Sequence, residues 1–211
     1  MLKNIVLLAL ITLPVFLAGC VSEPSLSTTH DYLSAPSRVK VGKPVYFSIE
    51  DQRPQIERKA AEGPYIYTVD GTNPNGASSG LGEDLSRVME EKGITSRARV
   101  GSPGEVPPND GIIVHIQLLS WYGRLPSNDL VTEKVFSTIL SQPVYAEGQC
   151  KFNSTLIYDG KSVDLGISEG TATFQVSRNA SIGREGNQAS AAASDKAMTQ
   201  FFQALEKHFA Q

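Results

Sequence analysis

The chain has 211 residues, a formal net charge of −3 and 40% hydrophobic residues. It holds no block of basic residues, which excludes a surface built for nucleic acid, and its two cysteines are too few for a disulfide-built domain. The length suits one domain with a core of its own.

The first predicted element is a leader. Met1-Leu2-Lys3 forms a short positive head, and Ile5 to Ala18 then run without charge. That matches the roughly 7–15 apolar residues of a signal-peptide core and falls short of the ~20 needed to span a bilayer. Leu17-Ala18-Gly19-Cys20 closely resembles the lipobox of bacterial lipoproteins. The resemblance implies cleavage before Cys20, loss of residues 1–19, and acylation of the cysteine sulfur and the new amino terminus. Val21 stands where such proteins carry Asp when they stay at the inner membrane, which implies the outer membrane, with the domain facing the periplasm. Lys3 is the only charge in residues 1–19, so 18 Lys and Arg would face 22 Asp and Glu, a net of −4. With Cys20 lipidated, Cys150 has no partner for a disulfide and reads as a small buried hydrophobe.

Residues 20–43 are rich in Ser, Thr and Pro, a composition that predicts an acylated N-terminus and flexible tether, with packing of some of it as an edge extension the alternative. A single periplasmic domain is expected over residues 44–211. Val45–Asp51 predicts a strand with Val45, Phe47 and Ile49 on one side, and a short strand follows at Tyr65–Val69. Asp70–Gly80 reads as loop. Leu81, Leu85, Val88 and Met89 then share a helix face, and Gly93 is placed to stop that helix. Ile94–Val100 predicts a strand and Gly101–Gly111 a loop.

Ile112–Tyr122 is the strongest strand signal, with Val114, Ile116 and Leu118 on one side. Asn128–Ser141 suits helix and strand alike. Gln149–Tyr158 and Ser162–Val176 read as strands joined by Asp159-Gly160, a pair that tolerates the positive φ of a tight turn. The chain closes in a long helix whose Ala193, Ala197, Phe201, Leu205 and Phe209 align, with Met198 and Phe202 beside them. Hairpin-like strands beside two main helices predict an α+β fold, a mostly antiparallel sheet with the helices packed on one face.

Few residues suggest chemistry. Gly76-Ala77-Ser78-Ser79-Gly80 fits the G-x-S-x-G nucleophile-elbow pattern, but that motif needs a strand running straight into the turn, so the segment reads as a Gly/Ser-rich loop. His30, His115 and His208 show no metal-ligand spacing, and no catalytic residue or cofactor is assigned. Asp51 and Arg53 fall on one strand side and read as an exposed ion pair. Tyr65, Tyr67, Trp121 and Tyr122 are amphipathic aromatics that form a candidate partner-binding patch.

The strand "VYFSIEDQR" with its Asp51-x-Arg53 ending, the helix "LGEDLSRVMEEKG" followed by a strand, and the closing "ASDKAMTQFFQAL" helix together resemble the YajG-type lipoproteins and the related ABC-transporter auxiliary lipoproteins. The resemblance implies a non-enzymatic envelope role. The expected function is thus that of a lipoprotein, membrane-held through acyl chains on Cys20, whose domain binds an envelope protein in transport, cell-wall or secretion machinery. The alternative is a lipid or amphiphile carrier with an apolar pocket between sheet and helices.

Overall fold

The computed structural model describes residues 26–58, 61–62, 65–67, 76–101, 105, 110–126, 145–175 and 184–210. In chain order the elements are α1 (Leu26–Ser34), β1 (Val45–Asp51), a 3₁₀ turn (Gln55–Arg58), β2 (Ala61–Glu62), β3 (Tyr65–Tyr67), α2 (Gly76–Glu91), β4 (Ala98–Val100), β5 (Ile112–Pro126), β6 (Tyr145–Tyr158), β7 (Lys161–Gln175) and α3 (Arg184–Phe209). This is the expected α+β architecture.

The strands form one sheet. β5 lies at its centre, with β6 and then β7 antiparallel on one side. Its other side is shared: β1 runs parallel to residues 112–118, and β3 runs antiparallel to residues 124–126. β4 extends the sheet parallel to β1, and β2 extends it beyond β3. Antiparallel pairings predominate, while the two pairings of β1 are parallel. The β6–β7 turn is Asp159-Gly160 with φ of 51° and 72°, the left-handed pair of a tight hairpin.

α2 and α3 pack on the same face of the sheet. β6 shows why: from Ala146 to Leu156 every second residue is buried, and the intervening ones are partly exposed. One core cluster joins Phe47 of β1, Val114, Ile116 and Leu118 of β5, and Phe152 of β6 to Leu81, Leu85 and Met89 of α2 and Phe201, Phe202 and Leu205 of α3. Phe201 is its hub, with ring centroids 6.4 Å from Phe47, 6.1 Å from Phe152 and 5.1 Å from Phe202. Each such fully buried side chain contributes about 1.5–3 kcal/mol.

α3 docks more closely than α2. A Cβ at Gly148 would run into the Ala189 carbonyl, and one at Gly170 into that of Ala193. The helix backbone therefore rests almost directly on β6 and β7, with Ala189, Ala193 and Ala197 fully buried along the contact. α2 instead stands off on large aliphatic side chains.

The first correction concerns the expected tether. Residues 26–34 are helical, Leu33 is buried in the core, and Val41 packs against it. The chain between them is pinned to the end of α2, where the Ser37 N–H donates to the Lys92 carbonyl at 2.8 Å and that of Val41 to Ile94 at 2.6 Å. A helix of so few apolar residues is held by partners distant in sequence, which composition does not reveal. Residues 26–43 are thus part of the folded structure, ahead of the expected start at residue 44. A second correction is the start of α2: Gly76–Gly80, expected as loop, is its first turns. In the predicted Ile94–Val100 strand only Ala98–Val100 is strand, although Ile94 is still buried. Asn128–Ser141 and most of the Gly101–Gly111 loop lie outside the described residues.

Candidate functional site

Cys20 lies outside the described residues. The four aromatics do not share one surface. Trp121 and Tyr122 are consecutive in β5 and point to opposite faces: the Trp121 ring approaches Gly80 of α2, where an added Cβ would lie 3.4 Å from it, while the Tyr122 ring meets the Arg124 guanidinium at 5.0 Å. The β3 register sets Tyr67 opposite Arg124 and Tyr65 opposite Pro126. The expected patch therefore divides across the sheet, with Trp121 on the helix side.

The most developed polar constellation surrounds the backbone of Trp121. β1 leaves β5 at Leu118, and β3 joins it only at Arg124. Among the described residues no strand pairs the Trp121 peptide groups between these points, and unpaired backbone away from water costs about as much as a lost hydrogen bond. Side chains fill the gap. The Arg53 guanidinium donates to the Trp121 carbonyl at 3.3 Å, and the Trp121 N–H donates to the Glu57 carboxylate at 3.3 Å. Just upstream the Gln52 N–H donates to the Leu118 carbonyl at 2.9 Å. Arg53 and Glu57 act as a surrogate strand.

Both charges are buried and compensated. Arg53 is 1% exposed and donates to the two Asp51 oxygens at 2.9 and 2.8 Å, the planar fork matching a carboxylate. The Asp51-x-Arg53 pair expected at the surface is thus a buried anchor, because the chain turns back over it at the Gln55–Arg58 turn. Glu57 also accepts from the Ser120 hydroxyl, at 3.1 and 3.0 Å. Burial raises its carboxyl above the ordinary 4.5, against the Ser120 and Trp121 hydrogen bonds and the charge of Arg53. A bulge between Leu118 and Ser120 re-aims the strand here. From Ser120 the network continues across the helix-free face: the Gln149 amide donates to Glu169 at 3.0 Å, and Lys151 pairs with Glu169 at 2.9 Å, holding that carboxyl below its ordinary range. Every member is engaged with another, so the cluster braces the fold and offers no free nucleophile.

A third buried charge ties the helices together. Lys92, 2% exposed, donates to the Tyr32 and Ala35 carbonyls at 2.8 and 3.0 Å, covering the end of α1. Its ammonium also lies 4.0 Å from the centre of the Tyr32 ring, and the Tyr32 hydroxyl donates to Glu206 of α3 at 2.9 Å. Burial lowers the Lys92 pKa, with Glu206 opposing that shift. No sequence pattern foretold this clasp, because its parts come from three helices.

The remaining candidates are ordinary. Ser78 sits inside α2, and the nucleophile elbow is absent there because a helix occupies the motif. His115 is half-exposed, 3.7 Å from Glu50; His208 shares a 2.8 Å hydrogen bond with the Tyr158 hydroxyl; His30 is exposed in α1. No cluster of metal-ligating side chains occurs among the described residues. Cys150 is fully buried, its thiol pushed up to about 12 by that burial, which makes it unreactive. An apolar recess lined by Val41, Met89, Val114, Leu156, Leu205 and Phe209, among others, has no room for a water molecule.

No family model matches the chain, and no curated protein does. Solved structures show a loose likeness. A Xanthomonas campestris protein of the DUF330 family is 13% identical, with a TM-score of 0.41 over 82% of this chain and 92% of that one. A PelC dodecamer from Paraburkholderia phytofirmans is 15% identical, at 0.36 over 79% and 91%. A minor lipoprotein from Acinetobacter baumannii is 11% identical, at 0.37 over 77% and 93%. At these identities and scores the overlays assign the chain neither family nor function. No helix among the described residues is long and apolar enough to cross a membrane.

Proposed function

We propose that the chain is a bacterial lipoprotein, anchored in the outer membrane through acyl chains on Cys20, whose periplasmic domain binds an envelope protein and performs no catalysis. The observation that carries this reading is Leu17-Ala18-Gly19-Cys20 behind an uncharged apolar run. Two acyl chains suffice for stable anchoring. Binding is supported by the helix-free sheet face, which presents Gln117, Lys151, Asn153 and Glu169 around Ile167, 58% exposed. A broad face of mixed polarity suits another protein better than a small ligand. A carrier of acyl chains would first have to open the closed recess between sheet and helices.

Two measurements test the reading. Cells fed labelled palmitate should yield labelled protein in the outer-membrane fraction, and Cys20→Ser should lose both the label and the fractionation. A photo-crosslinking residue at Asn153 should capture an envelope protein that the same residue at the buried Ala197 does not. An unlabelled wild-type protein would overturn the anchor, and capture of nothing from Asn153 would overturn the binding face.

A further inference from the structure

Among the described residues β7 is paired on one side only, to β6, and runs for 15 residues. The opposite margin, β4, has 3. A long free strand edge is a ready template for a strand from another chain, and native proteins blunt such edges. In this domain the blunting comes from α3. The helix lies so low over Gly170 that its next turn overhangs the sheet margin, with the Lys196 Cβ 2.8 Å from where a Gly170 Cβ would stand. Lys196 and Gln200, four apart, project from one helix face. The Lys196 ammonium donates to the Thr171 carbonyl at 2.8 Å, and the Glu169 N–H donates to the Gln200 side-chain oxygen at 3.0 Å. Further along, the Gly166 N–H donates to Asp164 Oδ1 at 2.9 Å. There Gly166, at φ 83°, sits beside a register shift between β6 and β7. These backbone groups are the ones an added strand would use.

We infer that α3 closes the β7 edge against pairing with a second copy of this chain, and that Lys196 and Gln200 are the closing groups. The two-fold pairing of β7 with its own copy is the arrangement held off, since the same strand meets itself antiparallel across the axis. The cover is made of side chains, so it can be removed without touching the core.

The test uses the protein as purified from cells in detergent micelles and the double variant Lys196→Ala, Gln200→Ala. Amide exchange at Glu169 should quicken about tenfold, the equivalent of one hydrogen bond, while the Ser168 and Gly170 amides, which face β6 by alternation, keep their rates. Sedimentation should show the wild type as a monomer and the double variant dimerising as its concentration rises, with an unchanged circular-dichroism spectrum. Unchanged exchange at Glu169, a variant that stays monomeric, or a wild type already paired through β7 would each overturn the inference. Should the double variant fail to fold, Gln200→Ala alone reads the same amide under the same criteria.

Discussion

The two sides of β5 are built on opposite principles. Toward β6 and β7 the sheet is regular, and α3 rests on it through glycine and alanine with almost no clearance. Toward β1 and β3 the sheet is interrupted, and the interruption is filled by Arg53 and Glu57. One side relies on shape, the other on charges that must all be present. The difference teaches that the same core can fail in two ways: by intrusion of a methyl group on one side, and by loss of a partner on the other.

The largest effect is expected where a buried pair loses a member. Arg53→Ala removes the guanidinium from Asp51 and from the Trp121 carbonyl, and breaking such a pair costs about 3–5 kcal/mol, read as a loss of stability in urea titration. A cost below about 1 kcal/mol, the worth of an exposed pair, would break the comparison. On the other side Gly148→Ala drives a methyl group into the Ala189 carbonyl; overpacking of this kind costs about 1–3 kcal/mol. Its thermal midpoint should fall accordingly, whereas Gly42→Ala, which has open space, should hold near wild type.

α2 supplies the control for close docking. Met89→Leu exchanges one flexible aliphatic for another of similar volume and should cost less than about 1.5 kcal/mol in the same titration. An effect as large as that of Gly148→Ala would mean that α2 is seated as tightly as α3. The smallest expected signal is a slope. Folded Glu57 holds its proton above the ordinary 4.5, so between 4.5 and that raised value the folded state binds more protons than the unfolded state. Its contribution to stability is present below 4.5 and is lost as pH rises through the window. Glu57→Gln removes this dependence, and stability curves of the two proteins from pH 4 upward should draw together or cross as pH rises. Parallel curves would mean that the carboxyl titrates alike in both states.

The regular side was the more legible. Val45–Asp51 is the strand that alternation predicts, Asp159-Gly160 makes the predicted turn, and the stripe from Ala193 to Leu205 is buried as the helical period requires. Each of those signals is local. The interrupted side was not legible, because Arg53 finds its acceptor at Trp121, 68 residues on, and Lys92 meets Tyr32 from 60 residues away. Composition made residues 26–43 look like a tether for the same reason. Gly148 and Gly170 carried no signal of their own, since a glycine in a strand announces a close approach without naming what approaches. Of the candidate site, the sequence placed Trp121 and Tyr122 correctly in one strand, but their adjacency on opposite faces forbids a shared patch.

The position of α3 after β6 and β7 bears on the order in which the domain is assembled. β6 and β7 meet through a turn of two residues and can pair as soon as both have emerged, since their contacts are local. The groove over Gly148 and Gly170, and the margin of β7, then wait for a helix that follows both strands in the chain. As it folds, the chain therefore passes through an interval in which α3 does not yet cover the β7 edge. A truncation that removes α3 would prolong that interval indefinitely, leaving a hairpin primed to pair with its neighbours.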